Sequence, residues 1–217
     1  MTTTIMRHPD PVTLMGFAAG TLAEPLAAAV AAHLDMCETC CAEVADLELL
    51  GGVLMINAEP PRDEAAKAVV PGRPIDCVAE DVVRHADPSG RLPAPLAAAF
   101  RLSVDTIPWK RLGPGVWHHR LPLSQGATGD LRLLKIAPGR VMPDHGHGGA
   151  ELTLVLEGTY SDETGAYRRG DMQDVDETVE HTPVADKEAG CICLIASEKR
   201  ARFKGLVGRL MQPWTGM

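Results

Sequence analysis

The chain reads as an α+β protein of two domains, a small helical bundle followed by an antiparallel barrel or jelly roll. Three observations point there. Apolar residues in the front third recur at helical spacing, while those beyond about residue 98 fall in short runs broken by Gly, Pro and Asp. Each part also carries its own cluster of residues at metal-ligand spacing. The expected division is a helical domain over residues 1–85, a linker over 86–98 and a β domain over 99–217.

The first helix is expected to open at Asp10-Pro11, an N-cap followed by proline at the first helical position, and to end at Gly20. An alanine-rich second helix is expected from about Glu24 to Leu34, and a third from about Cys37 to Met55, with Val44, Leu47, Leu50 and Leu54 on one face. Residues 57–73 read as a loop, and Ile75, Val78, Val82 and Val83 mark a short fourth helix ending near His85. Three prolines and a glycine between Ala86 and Pro95 suggest the linker. Beyond it, Leu131 to Ile136, Leu152 to Leu156 and Cys191 to Ala196 read as strands.

Length and composition exclude several classes. The 217 residues are 45 % hydrophobic but only 4 % aromatic, so the core must rest on Leu, Val, Ala and Ile. No segment has the roughly 20 apolar residues that span a bilayer, and the N-terminus has no basic region before an apolar signal core. A cytoplasmic protein is expected. Residues 1–90 hold five Lys/Arg against fourteen Asp/Glu, which argues against direct nucleic-acid binding and suits either a basic protein partner or a plain solvated surface.

His33-Leu-Asp-Met-Cys37-Glu-Thr-Cys40 offers three ligands at His-x3-Cys-x2-Cys spacing across a helix–helix turn. Thiolate and imidazole together select tetrahedral zinc, and a fourth ligand would close a structural site. His8, just ahead of the first helix, is the best candidate for that fourth ligand because it can fold back. Cys41 would point about 100° away from Cys40 and is read as a bystander. A zinc staple suits a helical module with a modest core.

The second cluster lies in Gly139-x5-His145-x-His147-x3-Glu151-x6-Gly158. His145, His147 and Glu151 share a parity, so on extended backbone they face one side and can converge on a metal. This spacing resembles the first motif of the cupin superfamily. The second motif begins at Gly170-Asp171 and supplies His181, although its usual Pro-x-Gly and downstream asparagine are missing. Three His and one Glu accept zinc, iron, manganese or nickel. Cys191 and Cys193 also share a parity, and are either oxidisable groups near this metal or small core residues. His85, His118 and His119 have no partner at ligand spacing and read as surface residues.

The helical zinc motif resembles the zinc-binding anti-sigma domain of regulators of group IV (extracytoplasmic-function, ECF) sigma factors. Its combination with Pro143-Asp-His-Gly-His147, Glu180-His-Thr-Pro183 and Cys191-Ile-Cys193 resembles the ChrR family, over nearly the whole chain. The resemblance implies a non-enzymatic anti-sigma factor, a negative regulator of transcription binding its sigma factor 1:1 through the helical domain. It implies a cupin domain, favours zinc as its metal, and makes that domain the sensor of oxidative stress, with singlet oxygen or an organic peroxide causing sigma release. The residues alone leave open a metal-dependent cupin enzyme, such as a dioxygenase or isomerase, with a zinc-stabilised accessory domain. They also leave open a metal-storage or structural protein.

Overall fold

The computed structural model describes residues 4–56, 87, 89–143, 145–146, 148–199 and 202–203. The expected loop over 57–73 and the fourth helix near 75–85, with His85, lie outside the described residues. Helix α1 spans Pro11–Ala18, and the Asp10 carboxylate accepts a hydrogen bond from the Val12 amide as its N-cap. Gly20 follows at φ +67°, the left-handed position that closes a helix end. Helix α2 covers Glu24–Leu34 and α3 covers Glu38–Ile56. The stretch expected as a linker is partly built into the fold. Residues Ala94–Phe100 form helix α4, which packs on α2 and buries Leu96 and Ala97.

The β part is antiparallel throughout. Its strands are β1 (Lys110–Gly113), β2 (Val116–Arg120), β3 (Asp130–Ile136), β4 (His145–Gly146), β5 (Glu151–Asp162), β6 (Gly165–Arg168), β7 (Met172–Val175), β8 (Glu180–His181), β9 (Val184–Ala185), β10 (Cys191–Ser197) and β11 (Arg202–Phe203). The larger sheet runs β1-β2-β3-β10-β5-β6, with β7 and β9 also paired to β5, and a smaller sheet runs β11-β4-β8. Strand β5 extends well past the expected Leu156. Gly158 adopts φ +71° on its way, and a Cβ there would lie 2.0 Å from the Gly190 carbonyl oxygen. Only glycine permits that approach.

Both faces of the central strands are covered, which explains their nearly continuous apolar runs. On the outer face, Leu133 of β3, Leu154 of β5 and Leu194 of β10 join Leu26, Ala29 and Val30 of α2 in one apolar cluster. The small alanines let α2 lie close to the sheet. The inner face forms a second cluster, with Leu134, Val155, Tyr160, Tyr167, Cys191 and Cys193. The helical and β parts therefore share a core across α2. No helix among the described residues is long and apolar enough to cross a membrane.

Candidate metal centres

Four side chains, two from helices and two from the segments beside them, meet at the front of the molecule. His33 ends α2, Cys37 lies in the turn, Cys40 is in the first turn of α3, and His8 folds back from the segment ahead of α1. Their ligand atoms all lie within 4.8 Å of one another. His33 Nε2 is 3.4 Å from Cys40 Sγ, and His8 Nδ1 is 3.4 Å from Cys37 Sγ and 3.2 Å from Cys40 Sγ. A tetrahedral zinc with ordinary bond lengths has N–S edges of about 3.5 Å, so the donor set fits that ion. His33, Cys37 and Cys40 are buried and His8 is exposed. Cys41 is exposed and outside the cluster.

Burial pulls the His33 pKa down to about 4, despite its bond to the Gly170 carbonyl. Burial, followed by the adjoining Cys37, pushes the Cys40 thiol up to about 12. The His33 bond is specific: Nδ1 donates to the Gly170 oxygen at 3.0 Å, which leaves Nε2 free for a metal. This partner comes from the turn between β6 and β7, an element that the helical motif does not contain.

The same turn holds the segment that carries His8. Asp171, fully buried, accepts hydrogen bonds from the Met6 and Arg7 amides at 2.7 and 3.1 Å. The Met172 amide donates to the Arg7 carbonyl at 3.1 Å. Gly170-Asp171 is visible in the sequence as the start of a motif, but nothing local marks it as a contact of the distant histidines.

At the barrel, β4 pairs with β8 so that the backbones of His145 and His181 stand opposite each other. Glu151 opens β5, buried between Val175 of β7 and Ser197 of β10. His147 and the His145 side chain lie outside the described residues. His181 is buried, and its Nδ1 donates to Asp162 Oδ2 at 2.7 Å. A histidine that gives Nδ1 to a carboxylate has its ring oriented and its tautomer set for ligation through Nε2. Asp162 also accepts from Gln173 Nε2 at 2.8 Å and from the Thr164 amide and hydroxyl at 2.8 and 2.6 Å. Tyr160 donates to Gln173 Oε1 at 2.8 Å. Burial acts to raise the Asp162 carboxyl, but the bonds from Thr164, Gln173 and His181 together hold it below its usual range.

One other expectation changes. His118 is not a surface residue: it is half-buried opposite Leu134, and its Nδ1 is enclosed without a hydrogen-bond partner among the described residues. Burial lowers both His118 and the half-buried His119. Cys191 and Cys193 do face the same side, with their sulfurs 3.1 Å apart. The bond from Cys191, then burial, pushes the Cys193 thiol well up, which makes it a poor nucleophile.

With this geometry in place, the chain's relatives become informative. Residues 97–201 match the ChrR cupin-like domain family. The anti-sigma-E factor ChrR of Cereibacter sphaeroides is 40 % identical over 215 residues, spanning 97 % of this chain and 98 % of the relative. The crystal structure of Rhodobacter sphaeroides SigE in complex with the anti-sigma ChrR contains a similar chain, 38 % identical with a TM-score of 0.73. The similarity covers 89 % of this chain and 99 % of that one. A putative acetylacetone dioxygenase from Methylibium petroleiphilum PM1 is 12 % identical with a TM-score of 0.43, covering 54 % of this chain and 93 % of that one. That likeness is too distant to bear on activity. The near-full-length identity to ChrR does bear on it: the chain belongs to the ChrR family of anti-sigma factors.

Proposed function

We propose that this protein is a cytoplasmic anti-sigma factor that sequesters a group IV (ECF) sigma factor 1:1 through its helical front and releases it under oxidative stress. The observation that carries the reading is the similarity, over 99 % of that chain, to an anti-sigma factor solved together with its sigma factor. The physical support is α3. Its last turns expose Leu49, Leu50, Val53, Leu54, Met55 and Ile56, an apolar surface of the kind that marks a protein interface. The acidic balance of residues 1–90 favours a basic partner surface.

We assign His8, His33, Cys37 and Cys40 to a structural zinc that staples the helical bundle as a domain, residues 1–85, with 86–98 leading to a cupin sensor over 99–217. The mixed sulfur and nitrogen donors and their near-tetrahedral edges support zinc. We assign His145, His147, Glu151 and His181 to a divalent metal in the barrel, zinc by family, with iron, manganese and nickel as chemical alternatives. The buried Asp162–His181 pair supports this assignment, because such a carboxylate orients a ligating imidazole. When bound, the metal supplies a charge that fixes the ligand geometry. Loss or oxidation of a ligand would change that geometry, with singlet oxygen or an organic peroxide as the signal. Cys191 and Cys193 are close enough to oxidise as a pair, but their burial confines that chemistry to an oxidant that enters the lumen.

Co-purification with the candidate sigma factor, followed by mass determination of the complex, tests the proposal. A 1:1 complex that dissociates on treatment with singlet oxygen or organic peroxide is expected. Failure to bind any group IV sigma factor would overturn the reading.

A further inference from the structure

The front metal cluster is not built by the helices alone. Its two histidines are both held by the short turn that joins β6 to β7. Gly170 gives its carbonyl to His33 Nδ1. Asp171 gives one carboxylate oxygen to the amides of Met6 and Arg7, the two residues before His8. Gly170 sits at φ +89°, and a Cβ there would come within 2.7 Å of Ile5 and 3.6 Å of Met36. Both chain segments that carry the cluster thus close directly onto this glycine.

The turn is itself rigidly tied to the barrel. Gly170 N donates to the Val155 carbonyl at 2.9 Å, and Val155 N donates to the Asp171 carbonyl at 3.1 Å. Asp171 Oδ2 accepts from the Arg168 amide at 3.0 Å, closing the turn on itself. The strand that follows carries Gln173, two residues on. Its side chain is buried in the network that ends on His181, through Asp162. From His181 to Asp171 the path consists of two short hydrogen bonds and two residues of strand. Between Asp171 and Gln173, Met172 N donates to the Arg7 carbonyl.

We propose that the turn Gly170–Asp171 positions His8 and His33 for the front metal centre, and that β7 carries the state of the barrel site to that centre. The inference rests on both metal assignments made above. Asp171 is a positioning residue, acting on the metal only through the segment it holds. Outer partners of metal ligands change metal affinity by about 10- to 100-fold, ample to convert a change in the barrel into release at the front.

The test uses full-length protein loaded with cobalt(II). The thiolate-to-cobalt charge-transfer band reports Cys37 and Cys40, and its decay after a chelator is added gives the release rate of the front centre. Asp171→Ala should release cobalt at least about tenfold faster than wild type. Asp171→Leu keeps the branched shape without an acceptor oxygen and carries the measurement if the alanine variant does not fold. Glu151→Ala should accelerate release in the wild-type background and add little in the Asp171→Ala or Asp171→Leu background, because the effects share one route. Wild-type release from the Asp171 variants would overturn the proposal. So would an inert Glu151→Ala, or effects of the two sites that simply multiply. A wild-type protein with no thiolate band, or a band that survives in the Cys37→Ser/Cys40→Ser double variant, would instead remove the front metal assignment itself.

Discussion

Helices α2 and α3 are neighbours joined by a three-residue turn, yet their surroundings are opposite. Ten of the eleven residues of α2 are buried, whereas α3 buries only Cys40 and Val44 among nineteen. An alanine-rich helix has small side chains and few polar groups, so it can sit between sheet and helices on every side. Helix α3 carries larger apolar residues and leaves them in the open. A helix that exposes leucine, valine, methionine and isoleucine in its last turns is incomplete alone. The difference separates anchor from interface: α2 ties the front to the barrel, and α3 is left for a partner.

The largest effect should come from removing the joint that holds the two helices together. Cys40→Ser deletes a ligand shared by the contacts to His8 and His33. Structural zinc contributes about 10–16 kcal/mol in small modules, so the front helices should lose their order and sigma binding should vanish. Circular dichroism and a pull-down check this. An intact helical signal in the metal-free variant would make the cluster dispensable. Next comes the anchor. Ala29 of α2 is fully buried, and Ala29→Asp would place an unpaired charge against the sheet. A loss on the order of 3–5 kcal/mol is expected in thermal or denaturant unfolding, and it should extend to the barrel because the core is shared.

The interface prediction is smaller and runs the other way. Leu50 and Leu54 on α3 are 55 % and 63 % exposed. Leu50→Asp and Leu54→Asp should change stability by no more than about 0.5 kcal/mol, as surface substitutions do. Each should nevertheless weaken sigma binding by about 2 kcal/mol or more if it lies at the centre of the contact. Calorimetry and thermal unfolding of the same variants separate the two effects. If binding is unchanged while stability falls, α3 belongs to the fold and the contrast with α2 disappears.

Local patterns were the most legible. Helix α2 occupies the expected Glu24–Leu34, because a proline in the first turn, an alanine run and a turn motif all mark the same limits. That His8, His33, Cys37 and Cys40 come together was also readable, since three of them lie within eight residues across one turn. What escaped depends on distant chain. The sequence marks a strand only from Leu152 to Leu156, but β5 continues to Asp162, and that extension places the carboxylate on His181. No residue near His33 announces Gly170, 137 positions away. His118 was misplaced because the face a strand residue occupies is set by its neighbours, and nothing in its own sequence assigns it.

The smallest predicted effect distinguishes the two metal sites by pH. In the metal-free front cluster the Cys40 thiol, pushed up to about 12 by burial and by Cys37, keeps its proton throughout the neutral range. A thiolate is the ligand, so binding must expel that proton. Since the proton competes with the metal, affinity falls as pH falls, by about tenfold per unit for this one group, or about 1.4 kcal/mol. His33, pulled down to about 4, is already neutral at these pH values and adds no competing proton. The proposed barrel set of His145, His147, Glu151 and His181 contains no thiol and lacks this contribution. Competition with a chromophoric chelator at pH 7 and pH 8 should therefore show the steeper change at the front centre. Equal slopes at the two sites would mean that Cys40 does not bind as a thiolate, and the front centre would no longer differ in kind from the barrel.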